Sequence, residues 1–376
     1  MDSNRGDLTV AVAHFVDSAL PRTAETFPID RARRIVADLM RPRPWIYWLD
    51  FGFHVILGWT AFVQSVRLAP GSPLQLLAFT VASLALYRSV LFIHELAHRM
   101  RGTFGIFRWV WNLTCGFPLM IPSFLYTRVH NDHHAIRSYG TADDGEYVAF
   151  GARSPWLIVL YLLQIFALPF LFPLRFIVVA PLSHLHPRLR ELAWEGFSSL
   201  TIDFHYKRPP PTARDGEGWR IQELGAFLYG AAFLLLLAAG VIPVRAVIVW
   251  YCAVLFVFVL NSLRTLAAHA YANPHEERMN LTSQFRDSLD IPGNPITTPL
   301  WAPLGLRYHA THHLFPTMPY HSLGAAYRRL ARELPAEVDY LQSTRASLAD
   351  ALEGLWREAK ANSGWPFEAG ESRSRT

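Results

Sequence analysis

Residues 74–98, LQLLAFTVASLALYRSVLFIHELAH, decide the fold. Residues 74–93 are predominantly apolar over a length that crosses a bilayer as a helix, and the chain then passes directly into HELAH, residues 94–98. HELAH fits the H-E-x-x-H pattern of zinc proteases and also the looser H-x-x-x-H pattern of other metal sites. The stretch therefore predicts a metal site at the end of a membrane span and leaves its chemistry open.

The composition of the whole chain also favours a membrane protein. Apolar residues make up 51% of the 376 residues and aromatic residues 14%, whereas charged residues make up only 17%. The net charge of +5 comes almost entirely from arginine and suits an anionic lipid surface. No nucleic-acid-binding motif occurs, so we expect no nucleic-acid partner. The two cysteines, Cys115 and Cys252, lie far apart in apolar stretches and predict neither a disulfide framework nor a thiolate zinc site.

Four segments are long and apolar enough to span a membrane. Short turns join the first to the second and the third to the fourth, which predicts two helical hairpins. The stretches 109–126 and 156–180 are apolar but interrupted by prolines, so we expect re-entrant or interfacial helices there. The predicted fold is an all-α integral membrane protein with a cytoplasmic helical cap that carries the histidines. The four predicted spans are 45–66, 74–93, 225–243 and 246–266.

Two hairpins return the chain to its starting side of the membrane. If residues 156–180 do not cross the membrane, the segments 94–155 and 181–224 and everything after residue 267 are therefore expected on one face. The connectors on that face are rich in arginine, whereas the opposite turns offer only Arg67 and Arg245. By the positive-inside rule the histidine-bearing face is cytoplasmic, and we expect a protein of the bacterial inner membrane.

Nine of the sixteen histidines fall into a pattern. HNDHH and HATHH both match H-x-x-H-H, and spacings of three and four residues place side chains on one face of a helix. His269 follows the fourth span. Nine imidazoles exceed the needs of one tetrahedral zinc ion and suit two metal ions. The predicted metal-binding and catalytic residues are His94, His98, His130, His133, His134, His269, His309, His312 and His313.

Ligand type alone does not choose the metal, because imidazole suits zinc, copper, iron and nickel. A long aliphatic substrate dissolved in the membrane offers no polar bond to hydrolyse. Attack on its unactivated C–H bonds requires oxygen activation at iron or copper. The membrane context therefore favours an oxidising metal centre over a hydrolytic one.

The complete motif set resembles that of the membrane-bound fatty acid desaturases, the family with three histidine boxes. His94 and His98 resemble the first box and residues 130–134 the second. HATHHLFPTMPYHSL, residues 309–323, is similar to the third box with its F-P-x-x-P-Y-H-x-L continuation. The resemblance covers roughly residues 45–330, and the order of the boxes and the membrane layout match as well.

This resemblance implies two non-haem irons, dioxygen as the oxidant and a long acyl lipid as the substrate. It assigns the eight box histidines as ligands and His269 as an additional ligand. Three residues between His94 and His98 resemble the bacterial acyl-lipid branch of the family. No cytochrome b5 domain is fused, so an external electron donor such as ferredoxin or a cytochrome b5-like protein is implied.

Three further residues are candidates for supporting the ligands. Glu95 and Asp132 lie beside or between ligand histidines and are candidates for hydrogen bonds to the imidazoles, and the alternative for each is a solvated position. Asn261, at the end of the fourth span, resembles a family residue that supports a metal-bound water, with a different spacing to the following histidine.

The predicted function is the introduction of a double bond into a long fatty acyl chain, using O2 and two electrons. A hydroxylase or ketolase of the same architecture, acting on a lipid, an alkane or a carotenoid, is the nearest alternative. An intramembrane zinc protease is a further alternative and leaves six histidines unused. The predicted division is a cytoplasmic amphipathic lead (1–44), a membrane desaturase domain with the diiron site (45–332), and a cytoplasmic helical and disordered tail (333–376).

Overall fold

A computed structural model describes residues 27–99, 104–212 and 218–362. The described residues are helical, and their only β-type pairings are three isolated bridges. Short 3-10 or π segments interrupt the helices, notably the π segments Asn112–Gly116 and Leu174–Val179. The helices are α1 (Ile29–Val36), α2 (Pro44–Arg67), α3 (Pro73–His98), α4 (Gly105–Trp111), α5 (Phe124–His133), α6 (Trp156–Leu163), α7 (Leu168–Pro173), α8 (Ala180–Ser183), α9 (Pro187–Phe197), α10 (Trp219–Ala238), α11 (Val244–Leu266), α12 (Leu281–Asp287), α13 (Thr298–Trp301), α14 (His309–Leu314), α15 (Tyr320–Glu333) and α16 (Leu348–Asn362).

The four predicted spans are confirmed as the long apolar helices α2, α3, α10 and α11. The helices α2 and α3 pack along their length, and Gly58 permits this because a Cβ there would lie 2.9 Å from the Leu86 side chain. The Ser72 side chain caps α3 by accepting a hydrogen bond from the Gln75 amide at 3.2 Å. The outer face of this hairpin exposes large apolar side chains such as Leu49 and Phe53, as a lipid-facing surface does. The chain is an integral membrane protein.

The proline-interrupted stretch after residue 155 forms a bent helix pair rather than one straight span. Trp156–Phe166 and Leu168–Ser183 meet at an angle of 51°. Pro169 and Pro173 break the helical hydrogen bonding there, and the π segment Leu174–Val179 follows. The stretch 109–126 also forms no span, because α4 ends in the π segment Asn112–Gly116.

Helices α12 to α15 follow the last span, and contacts join α12 to α14 and α14 to α15. We call this set of helices the polar layer. In that layer α1 packs on α15, so Ala32 and Val36 share a core with Leu323 and Ala326. The tail helix α16 packs on the 3-10 turn Phe150–Ala152 and on the core around Tyr271. Residues 1–26 of the predicted lead and 363–376 of the predicted tail lie outside the described residues. The side of the membrane on which this layer lies, and the domain boundaries, stay predictions.

Candidate metal centre

Four segments deliver the nine predicted histidines to one place. The last two turns of α3 carry His94 and His98, four residues apart on one face. The end of α5 carries residues 130–134, and α14 carries residues 309–314. His269 follows α11 and is held by an isolated β-bridge to Ser288. Since α3 and α11 each end their hairpin on the same side, all four segments meet at one end of the spans.

The histidines divide into two groups that do not follow the boxes. His130 and His134 of the second box lie in one group, whereas His133, between them in sequence, lies in the other. In the third box His312 lies in the first of these groups, whereas His309 and His313 lie in the group of His133. We call the sets the five-histidine group, His94, His98, His130, His134 and His312, and the four-histidine group, His133, His269, His309 and His313.

The spacing of nitrogen atoms within each group fits bound metal ions. In the five-histidine group, the Nε2 atom of His98 lies 3.0 Å from that of His130 and 3.1 Å from that of His312. In the four-histidine group, Nε2 of His309 lies 2.9 Å from that of His269. Two nitrogens bound at right angles to one metal at about 2.1 Å lie about 3.0 Å apart. The buried Nε2 atom of His94 has no hydrogen-bond partner in the described structure. It is therefore available to a metal ion held by the five-histidine group.

Acidic and tyrosine side chains contact the Nδ1 atoms of three of the imidazoles. Nδ1 of His133 lies 2.9 Å from Asp144, and Nδ1 of His130 lies 3.1 Å from Glu146. Nδ1 of His269 lies 2.9 Å from the Tyr139 hydroxyl, which donates to Asp287 at 2.8 Å. Each contact occupies Nδ1 and leaves Nε2 free for a metal, as ligand histidines require.

The electrostatics of the site keep most of the imidazoles neutral, the form in which they bind metal. Burial and the neighbouring histidines lower the pKa of His134 and His313 well below the usual value. His133 differs: burial opposes its charge, but the Asp144 carboxylate is strong enough to raise the pKa of the ring. Burial raises the pKa of Glu146 to about 7. Most of the imidazoles are thus neutral, and His133 is the exception because the Asp144 carboxylate raises its pKa.

The three predicted supporting residues have other partners in the structure. Glu95 accepts a short hydrogen bond from Tyr47, and its carboxylate is 4.0 Å from His94, too far for a hydrogen bond. Asp132 pairs with Arg128 and Arg137. The Asn261 oxygen accepts from Arg264 at 3.2 Å.

The sequence interpretation did not find Tyr139 or Asp287. Neither residue has a fixed spacing from a histidine box, so no motif marks them. The acidic run around residues 143–146 was the available signal for Asp144 and Glu146, because acids close to a ligand box are candidates to orient its imidazoles.

Comparison with known proteins identifies the family. The sequence model of the fatty acid desaturase family matches residues 70–345, about three-quarters of the chain. The chain belongs to the fatty acid desaturase family. A ceramide hydroxylase of Caulobacter vibrioides (strain NA1000 / CB15N) is 35% identical over 342 residues, which cover 91% of this chain and 97% of that protein. The chain is therefore a membrane enzyme of the desaturase and hydroxylase superfamily, a diiron family whose two metal ions the two histidine groups fit.

Proposed function

We propose that the protein hydroxylates a long-chain lipid of the ceramide class at a membrane-embedded diiron centre. One C–H bond of the lipid becomes C–OH, while O2 takes up two electrons and two protons and its second oxygen atom leaves as water. The bound irons supply the oxidising power for this step. The observation that carries the proposal is the meeting of nine histidines in two groups at one end of the spans.

The protein's own residues orient the ligands, and burial keeps most of the imidazoles neutral. Asp144 accepts the proton on Nδ1 of His133, and this contact directs Nε2 toward the metal. Tyr139 acts in the same way on His269, with Asp287 behind it. Seven of the nine histidines are buried, which limits the access of water to the site where the irons would be held.

The similarity to the Caulobacter protein supports hydroxylation and a ceramide-class substrate. The two chains match over nearly their whole lengths at 35% identity, so the match includes the segments that line the metal centre. Desaturation is the second candidate, and the family match and the F-P-x-x-P-Y-H continuation favour it. That continuation has another use here, because Tyr320 within it donates to Asp50 at 2.8 Å and fastens α15 to the first span.

The guanidinium of Arg264 supports a substrate that has an oxygen-bearing group close to the reacting carbon. Arg264 is buried near the end of α11 and donates to Asn261 and to the Thr265 hydroxyl, both neutral groups. Its charge acts on His269 and His309, so it lies close to the metal centre. Its charge also acts on the Glu146 carboxyl, but within the described ranges no carboxylate lies within 4.0 Å of Arg264. A buried cation whose hydrogen-bond partners are all neutral is costly. An amide or hydroxyl oxygen at the polar end of a ceramide would lower that cost.

The electron donor and the orientation in the membrane belong to the same proposal. In this proposal the two electrons come from an external one-electron carrier of the ferredoxin or cytochrome b5 class. The polar layer around the histidines carries many arginines, whereas the opposite turns offer Arg67 and Arg245. This distribution supports a cytoplasmic site by the positive-inside rule.

Labelled oxygen distinguishes the two candidate reactions. The purified, iron-loaded protein is supplied with a ceramide, a reduced donor and ¹⁸O2, and the lipid products are analysed by mass spectrometry. We expect a product heavier by one ¹⁸O atom, with the new hydroxyl within a few carbons of the polar end. A product that has lost two hydrogens and gained no label would instead establish desaturation, and a mid-chain hydroxyl would refute the role given to Arg264.

A further inference from the structure

A cavity of about 310 Å³ lies apart from the metal centre, between α3, α15 and the segment that leads into α14. None of the nine metal-centre histidines lines it. Its walls carry several basic and aromatic side chains but no acidic one. We call it the arginine cavity and define it by Arg88, Arg307, Arg328, Tyr308, Tyr320 and His321.

The charge of the arginine cavity is only partly compensated. Arg88 donates two hydrogen bonds to Asp50, at 2.7 and 2.5 Å, and is neutralised by it. Arg307 donates to the Pro292 carbonyl at 3.1 Å and lies over the Tyr308 ring, both uncharged partners. Within the described ranges no carboxylate lies within 4.0 Å of Arg307 or Arg328. Two guanidinium groups therefore lack a counter-charge, and they favour an anion between them.

The cavity lies where the apolar belt of the protein meets its polar layer. Arg88 belongs to the span α3 and Asp50 to the span α2, whereas Arg328 is an exposed residue of α15. Leu300 is next in sequence to Pro299 of the cavity wall and is 50% exposed, and Ile296 of the same segment is 77% exposed. These positions indicate the membrane interface, where phospholipid phosphates lie.

Two glycines line the cavity where neighbouring atoms leave little room for a side chain. Gly305 has a φ of 72°, which other residues rarely adopt, and a Cβ there would lie 2.7 Å from the Tyr320 carbonyl. A Cβ at Gly324 would lie 3.0 Å from the Tyr308 ring. The volume equals that of about ten water molecules at ~30 Å³ each, enough for a phosphate and the atoms bonded to it.

We propose that the arginine cavity binds the phosphate of an anionic phospholipid from the leaflet beside the metal centre. Guanidinium groups match phosphate oxygens in geometry and charge, and Tyr308 and Tyr320 supply amphipathic rings at the membrane interface. The acyl chains of the bound lipid lie along the exposed apolar face near Ile296 and Leu300. A ceramide carries no phosphate, so this site is separate from the substrate site and does not rest on the proposed reaction.

Native mass spectrometry of the full-length protein tests the proposal. The wild type, the double variant Arg307→Met/Arg328→Met and the control Arg332→Met are exchanged into detergent with phosphatidylglycerol. The control removes an exposed arginine from the same helix outside the cavity. We expect the wild type and the control to retain about one phosphatidylglycerol per chain, and the double variant to bind it about 30-fold more weakly. Equal retention by all three proteins overturns the proposal.

Two further measurements identify the source of the phosphate and do not depend on the variants. Phosphatidylglycerol should raise the melting temperature of the wild type above its value in uncharged detergent alone, and the absence of any rise contradicts the proposal. Glycerol 3-phosphate at the same concentration should neither displace the lipid nor raise the melting temperature. If it does both as well as the lipid, the ligand is a soluble phosphate ester and the lipid assignment is wrong.

Discussion

The two histidine groups differ in how firmly their imidazoles are held. In the four-histidine group every ring is buried, and two of the four are held from behind by Asp144 and by Tyr139. In the five-histidine group His98 and His134 are only half-buried, and among its members His130 alone contacts a carboxylate. The four-histidine group is thus the preorganised half of the centre. The five-histidine group has more histidines, fewer contacts that orient the rings, and two rings that are partly exposed to solvent.

The difference arises from the segments that carry the ligands. His269 is fixed by its bridge to Ser288, and α14 is fixed because Asp290 accepts hydrogen bonds from the Thr311 amide and hydroxyl. These contacts join three distant parts of the chain around the four-histidine group. His94 and His98, by comparison, lie at the end of a single helix.

The largest expected effect comes from removing one ligand from each group. His133→Ala should lower the iron content from about two to about one per chain and abolish turnover, because its group has no surplus ligand. His98→Ala should retain more iron, because four imidazoles remain around that ion. Iron is measured by plasma emission and turnover by product mass spectrometry. The control is His205→Ala, which replaces an exposed histidine outside both groups. Equal iron loss in the two ligand variants would contradict the comparison.

A smaller effect is expected from the acids behind the ligands. Asp144 is fully buried and also accepts the Gly140 amide, so Asp144→Asn should weaken iron binding by about 10- to 100-fold. Glu146→Gln should cost less. Burial raises the pKa of Glu146 to about 7, so its carboxyl is already partly protonated near neutral pH, and Tyr126 remains within 2.9 Å of His130. Chelator competition measures both affinities, and a larger loss in the Glu146 variant would reverse the ranking.

The sequence predicted the spans and marked the nine histidines that the structure brings together, because both signals are local. An apolar run of about 20 residues and a histidine spacing of three or four can each be identified within one segment. The separation of His133 from His130 and His134 was not predictable, since it depends on how α5 meets α14 and the segment around His269. The role of Asp287 was not predictable for the same reason, because Asp287 contacts Tyr139 and Tyr139 in turn contacts His269.

Proximity in sequence was a poor guide to the residues behind the ligands. Asp132 lies between ligands of α5 but projects to another side of the helix, where Arg128 lies one turn away. Glu95 is adjacent to His94, yet it is directed to Tyr47 of the first span. Helical periodicity separates neighbouring side chains by about 100°, so a residue beside a ligand seldom supports it.

The smallest expected effect concerns the anchor of α14 and depends on pH. Burial raises the pKa of Asp290 from 3.8 to about 7, although the hydrogen bonds from Thr311 act against the rise. The folded protein therefore keeps a proton that the unfolded chain loses, and the stability from this group falls as pH rises from about 4 to about 7, by at most about 1.4 kcal/mol per unit. Asp290→Asn resembles the protonated acid and lacks this slope. Melting temperatures at pH 5, 6, 7 and 8 should show the variant gaining on the wild type by a few degrees toward pH 7, with little further change above it. Parallel curves for the two proteins would show that Asp290 is ionised throughout and that α14 is anchored by a charged carboxylate.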